Sequence, residues 1–230
     1  MANVVRILLL GKTGVGKSSF INYFLGKDVA AAGAGRPCTQ ELTKYVLNEW
    51  PDTSIELYDS KGLEVKDADN WTQQIIKELE EKSRLDFTER YHTIFYCISA
   101  QKKIESYEEK TLKELQKAAD QPIHVILTHC DNMADDKLEE RERCLKEKIS
   151  KTLCIYRITS IDKTKRGGTT IKKSGREEVV DGVFNLLWQD VISIMADKVA
   201  EDVVSQVEYA VCQIISYFAN FINDNFSIIG

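Results

Sequence analysis

The chain has 230 residues and a formal net charge of −5, with 43% hydrophobic and 29% charged residues and only three prolines. That balance suits one large soluble globular domain, or a standard domain with a helical appendix. It gives no bulk electrostatic reason to expect nucleic acid or an anionic membrane as partner. The six cysteines are scattered without CxxC spacing, the start lacks the pattern of a signal peptide, and no run of 18 apolar residues occurs. The expectation is reduced thiols in a cytoplasmic protein, with peripheral membrane association through a local feature at most.

In chain order, the apolar run Val4–Leu10 predicts a buried strand. A glycine-rich turn and the helical pattern SSFINYFLG follow, with Gly26 as helix stop. The small, glycine-rich stretch Val29–Pro37 reads as a mobile loop. Strands at Leu42–Leu47 and Ser54–Tyr58 flank a turn at Trp50–Asp52, and a hairpin is expected. A helix over 70–88 carries Trp71, Ile75, Ile76 and Leu79 on one face. Then come strand 93–99, helix 105–119, strand 123–128, helix 135–150 and strand 153–159. This alternation predicts an α/β fold, a mostly parallel sheet with helices on both faces and a C-terminal helical extension. The domain reading is a core over 1–162, a basic loop insertion over 163–176, and a last helix with helical extension over 177–230.

Gly11 to Ser18, GKTGVGKS, matches G-x-x-x-x-G-K-[ST] between a strand and a helix. In that pattern glycines turn backbone N–H groups inward around phosphate, the lysine reaches the β/γ oxygens, and the serine hydroxyl is a ligand to Mg2+. Gly11, Lys12, Thr13, Gly14, Val15, Gly16, Lys17, Ser18 and the adjoining Ser19 are therefore candidate nucleotide-binding residues. Four further features follow in order: Thr39 in the loop after the first helix, DSKG (Asp59–Gly62) ending the third strand, THCD (Thr128–Asp131) ending the fifth, and TSI (Thr159–Ile161) ending the sixth. Ligands of α/β proteins bind at such carboxyl ends.

Over residues 4–160 this succession resembles the translation-factor-related P-loop GTPases, in the neighbourhood of the Era-like, septin-like and immunity-related branches, and implies a Ras-like fold. The resemblance implies GTP or GDP as ligand and Mg2+ as cofactor. Lys17, Thr39 and Gly62 would act on the γ-phosphate. Ser18, Thr39 and, through water, Asp59 would hold the metal. Thr128, His129, Asp131, Ser160 and Ile161 would form the guanine site, with Asp131 accepting from the two ring donors. The family has [NT]-K-x-D where this chain has THCD; a histidine ring can cover the base face in place of the lysine stem.

Leu63 stands where Ras-like members carry the water-orienting glutamine, and Gly14 where potassium-activated members carry asparagine, so slow intrinsic hydrolysis is expected. Arg36 is a candidate charge stabiliser. The leading reading is a guanine-nucleotide switch with weak GTPase activity. The alternatives are a non-catalytic nucleotide-bound scaffold and, with Lys12 as signature lysine, a ParA/MinD-like dimeric ATPase. Partners considered are a second copy across the nucleotide face, and a membrane or protein at the C-terminal helices or basic loop. Nucleic acid is not expected.

Overall fold

The computed structural model describes residues 3–30, 42–47, 53–85, 89–119, 123–150, 153–164, 168 and 170–183, together with 185, 211, 213, 214 and 216. A six-stranded sheet is ordered β2-β3-β1-β4-β5-β6, from β1 (Asn3–Gly11), β2 (Thr43–Leu47), β3 (Thr53–Asp59), β4 (Thr93–Ser99), β5 (Ile123–Thr128) and β6 (Ile155–Arg157). Only the β2–β3 pairing is antiparallel, and the other pairings are parallel. The helices are α1 (Lys17–Leu25), α2 (Ala68–Ser83), α3 (Ser106–Ala118) and α4 (Asp135–Lys148), and residues 176–183 are also helical.

Side chains alternate across a strand, so β1 feeds two cores. Leu8 and Leu10 join Trp71, Ile75, Leu79, Leu112 and Leu115 beneath α2 and α3. Ile7 and Leu9 join Phe20, Phe24, Phe95 and Val179 beneath α1 and the 176–183 helix. Burial on both faces explains why β1, β4 and β5 read as near-continuous apolar runs. The charge that interrupts β1 is answered laterally: Arg6 Nε lies 3.0 Å from Glu56 on β3, which also takes Lys44 of β2 at 2.7 Å.

Several boundaries differ from those read in the sequence. Helix α2 begins earlier, at Ala68, and ends at Ser83, while residues 86–88 lie outside the described set. Glu105 is the N-cap of α3, not its first residue; it forms a reciprocal capping box with Glu108. Strand β6 pairs over three residues only. Within 163–176, read as a loop, there is a second small ribbon of β7 (Lys163–Thr164) and β8 (Thr170–Ile171). The last helix begins at 176, where buried Arg176 donates from Nε to the Phe24 carbonyl at 2.9 Å, closing the end of α1. Most of 177–230 lies outside the described residues; of the expected helical extension, 211, 213, 214 and 216 are described and are helical. No helix among the described residues is long and apolar enough to cross a membrane.

Candidate functional site

The carboxyl ends of β1, β3, β4 and β5 converge on one rim, and Gly11–Gly16 crosses it between β1 and α1. Gly14 and Gly16 have φ of 75° and 96°, in the region L side chains rarely adopt, so the motif glycines are required by the turn. Gly16 caps α1 with no side-chain hydrogen bond, and the first turn of α1 contains no acid. Its leading N–H groups are therefore not capped by a side chain, as an anion-receiving helix start requires.

Lys17 folds back over this loop, donating from Nζ to the Gly11 carbonyl at 3.0 Å and the Lys12 carbonyl at 3.2 Å. It is 8% exposed, and burial lowers its pKa while the nearby Asp59 charge pulls the other way. Burial pushes the Asp59 carboxyl up to about 6, against the opposing pull of Lys17. Asp59 Oδ1, Ser60 Oγ and Thr13 Oγ1 are buried with no hydrogen-bond partner among the described residues. Buried polar atoms in native proteins nearly always have partners, so this group points to something the rim receives. Lys12 does not join it with its side chain: its ammonium pairs with Glu105 and sits 5.3 Å above the Tyr107 ring.

The segment after Asp59 is zipped along the loop. Ser60 N–H donates to Leu9 O (3.0 Å), Leu63 N–H to Gly11 O (3.1 Å), and Thr13 N–H to Leu63 O (3.2 Å). A Cβ on Gly62 would stand 2.3 Å from Thr13 Oγ1 and 2.7 Å from Thr13 Cα, so only glycine fits. Leu63 is fully buried and belongs to the α2–α3 core with Ala68 and Trp71. Its side chain therefore faces away from any substrate. Leu63→Gln is expected to destabilise the fold by roughly 2–4 kcal/mol, because it buries an amide without partners and removes an apolar contact. It is not expected to raise turnover; urea unfolding and GTP hydrolysis measured together check both statements.

At the other end of the rim, Thr128 Oγ1 donates its one proton to the Val15 carbonyl at 2.5 Å, with Ile98 O also within reach at 3.2 Å, tying β5 to the loop. His129 has φ of 58°, the one positive-φ non-glycine among the described residues. That turn lays its ring on the loop, where a Cβ at Gly16 would be 3.1 Å from Nε2. Burial lowers the His129 pKa, Asp131 opposes, and Lys163 and Lys102 reinforce the lowering. The Asp131 side chain is 6% exposed, and Oδ2 accepts from Lys163 Nζ at 2.6 Å. Ser160 and Ile161 border a cleft of about 400 Å3 shared with Ser19, Asn22 and Tyr23 of α1. Ile161 is 54% exposed beside it.

The structure thus brings together the sequence candidates from Gly11 to Ser19, Asp59, Gly62, Thr128, His129, Asp131, Ser160 and Ile161. Thr39 and Arg36 lie outside the described residues. Sequence reasoning did not find the Lys163–Asp131 pair or the Thr128–Val15 tie.

A family model described as 50S ribosome-binding GTPase matches residues 6–129, more than half of the chain. The chain belongs to this GTPase family. Among curated proteins the chain is similar to GTPase Der of Persephonella marina (strain DSM 14350 / EX-H1), 23% identical over 204 residues, or 89% of this chain and 44% of the relative. The chain therefore spans less than half the length of that relative. Among solved structures it resembles Toc33 from Arabidopsis thaliana in complex with Mg2+ and GMPPNP (TM-score 0.61, 15% identity, 82% of this chain and 86% of that one). It also resembles Era in complex with MgGDPNP and a piece of 16S ribosomal RNA (TM-score 0.59, 19% identity, 80% and 56%). A third is the bacterial dynamin GTPase LeoA from ETEC (TM-score 0.60, 18% identity, 97% and 42%). These likenesses establish the fold: the GTPase neighbourhood and the Ras-like sheet expected from the motifs are both borne out. The family match favours the GTPase reading over the ParA/MinD-like alternative.

Proposed function

We propose that this chain is a guanine-nucleotide-binding switch that hydrolyses GTP slowly with Mg2+. The observation that carries the reading is the pairing, on one rim, of buried Asp59, one oxygen of which has no partner among the described residues, beside Lys17, with Asp131 next to Thr128, which is tied to the same loop. Lys17 exchanges its two carbonyl acceptors for β/γ-phosphate oxygens, and the amides of Gly14–Ser19 receive the rest. Asp131 accepts from the two guanine donors, which adenine cannot match, while His129, held neutral by burial, covers the base face. The Ile161 N–H, oriented through Ser160, favours the guanine carbonyl.

The oxygen set also fits a hard cation. Ser18 and, through water, Asp59 would hold Mg2+ together with phosphate oxygens and Thr39. When bound, Mg2+ supplies charge neutralisation at the phosphates. Gly62, pressed on Thr13, would offer its N–H to a γ-phosphate, and loss of that phosphate would free segment 29–40 and loosen 60–69 beyond its hydrogen-bonded start at 60–63. With Leu63 in the core, water orientation must come from another group or a partner, which is the basis for expecting slow turnover. Arg36 remains a candidate for that charge role.

Dimerisation is important for the GTPase activity of the chloroplast components atToc33 and psToc159. For this chain a homodimer across the nucleotide face, and a protein or membrane partner at the ribbon or C-terminal segment, are the contacts we propose. The net charge of −5 argues against nucleic acid and the thiols for the cytoplasm. The division into a core over 1–162, a basic segment over 163–176 and a C-terminal part over 177–230 is proposed on the same footing. The buried Leu63 favours one second reading, a scaffold that keeps its nucleotide. Calorimetry with GDP, GTP and ATP tests the base claim, and tighter ATP than GTP binding would remove it. GTP turnover that stays near zero at every protein concentration, with and without lipid vesicles, would favour the scaffold.

A further inference from the structure

The ion pair at the base end of the rim has no counterpart in the motif reading. Lys163 comes from the segment that composition presents as a solvated basic loop, yet the β7–β8 ribbon turns it back until Nζ lies 2.6 Å from Asp131 Oδ2. The lysine is half exposed while the carboxylate beneath it is 6% exposed. Guanine brings two N–H donors to such a carboxylate and needs both oxygens, and an ammonium is likewise a donor-only group. The two ligands want the same acceptor edge.

The ribbon is built so that one end is fixed and the other is weakly held. At its foot, Thr159 and Ser174 exchange N–H···O bonds of 3.1 and 3.0 Å, and Asp162 Oδ1 accepts the Lys173 N–H at 2.7 Å. Above the foot, the described residues add two rungs, Lys163 opposite Ile171 and Thr164 opposite Thr170, with the two threonine hydroxyls 3.1 Å apart. A two-stranded ribbon of that length has little stability of its own. The foot adjoins Ser160 and Ile161, and Lys173 of the foot lines the same cleft as these two residues.

We propose that Lys163 is an internal competitor for the base-reading carboxylate: Lys163 and guanine cannot both hold Asp131, so guanine displaces the lysine and the β7–β8 ribbon that carries it. Ribbon position then reports occupancy. By linkage, an acidic partner that binds only the displaced ribbon, through the freed Lys163 and the exposed Lys172 and Lys173, tightens nucleotide binding by the same factor that nucleotide tightens the partner. The inference rests on the assignment of Asp131 as the guanine reader.

The test uses the full chain. GDP calorimetry on Lys163→Met, which keeps the stem and removes the charge, is expected to show affinity raised on the order of fivefold, the weight of a partly exposed ion pair. Lys163→Arg, which keeps the charge, is expected to stay within about twofold of the parent on the same footing. Hydrogen exchange over 163–173 in the parent should quicken when GDP binds. Equal or weaker GDP binding by Lys163→Met, or slower ribbon exchange with GDP, overturns the proposal. Asp131→Asn, run alongside, separates the two failures. If it shifts base preference while Lys163→Met changes nothing, only the competition is wrong; if base preference does not move, the guanine reading falls and the competition with it.

Discussion

Lys17→Ala is expected to weaken GDP and GTP binding on the order of a thousandfold while leaving the fold intact, since two or more charge-assisted contacts to phosphate are lost. The nucleotide-free protein is the informative control. Lys17 is held nearly buried with only two loop carbonyls as acceptors, and burial already works against its charge. Removing it relieves that desolvation, so the melting temperature of the nucleotide-free variant should not fall. Asp59 should also lose the cation that opposes its upward shift and protonate more readily than at present. Calorimetry and thermal unfolding of the nucleotide-free variant check both halves. Binding kept within about tenfold of the parent would mean that the loop amides carry the phosphate alone.

Asp131→Asn is expected to lower guanine-nucleotide affinity on the order of a hundredfold or more and to raise xanthine-nucleotide affinity correspondingly. An asparagine replaces one acceptor by a donor, which mismatches the guanine amine and matches the xanthine carbonyl. Guanine needs both carboxylate oxygens, so changing either one leaves a donor without its acceptor. Competition between GDP and XDP for the purified variant reads the switch directly. Unchanged preference would remove Asp131 from base recognition.

What the sequence made legible follows from how each feature is encoded. The loop from Gly11 to Ser18 is contiguous and works through its backbone, so its residues alone announce it. Strands β1, β4 and β5 are buried on both faces and stand out as apolar runs. Leu63 was visible as a departure from the family pattern, but its place in the α2–α3 core depends on Trp71 and Ala68 closing over it. The β7–β8 ribbon was invisible for a different reason: strands of two residues carry no alternation to detect, and a run of lysines looks like solvated loop whether or not one of them finds a carboxylate. The Thr128–Val15 tie spans 113 positions, and no local pattern encodes a hydroxyl choosing a carbonyl that far away.

That tie has a mechanical meaning. Through one hydroxyl it fixes the span between the groups that would grip a phosphate chain and the groups that would grip a purine, in the manner of a caliper set to one opening. A ligand with the right base but a chain too short to reach the loop would satisfy one jaw and miss the other. Loosening the setting at Thr128 would therefore blur discrimination by length and by base at the same time, though the hydroxyl need touch neither.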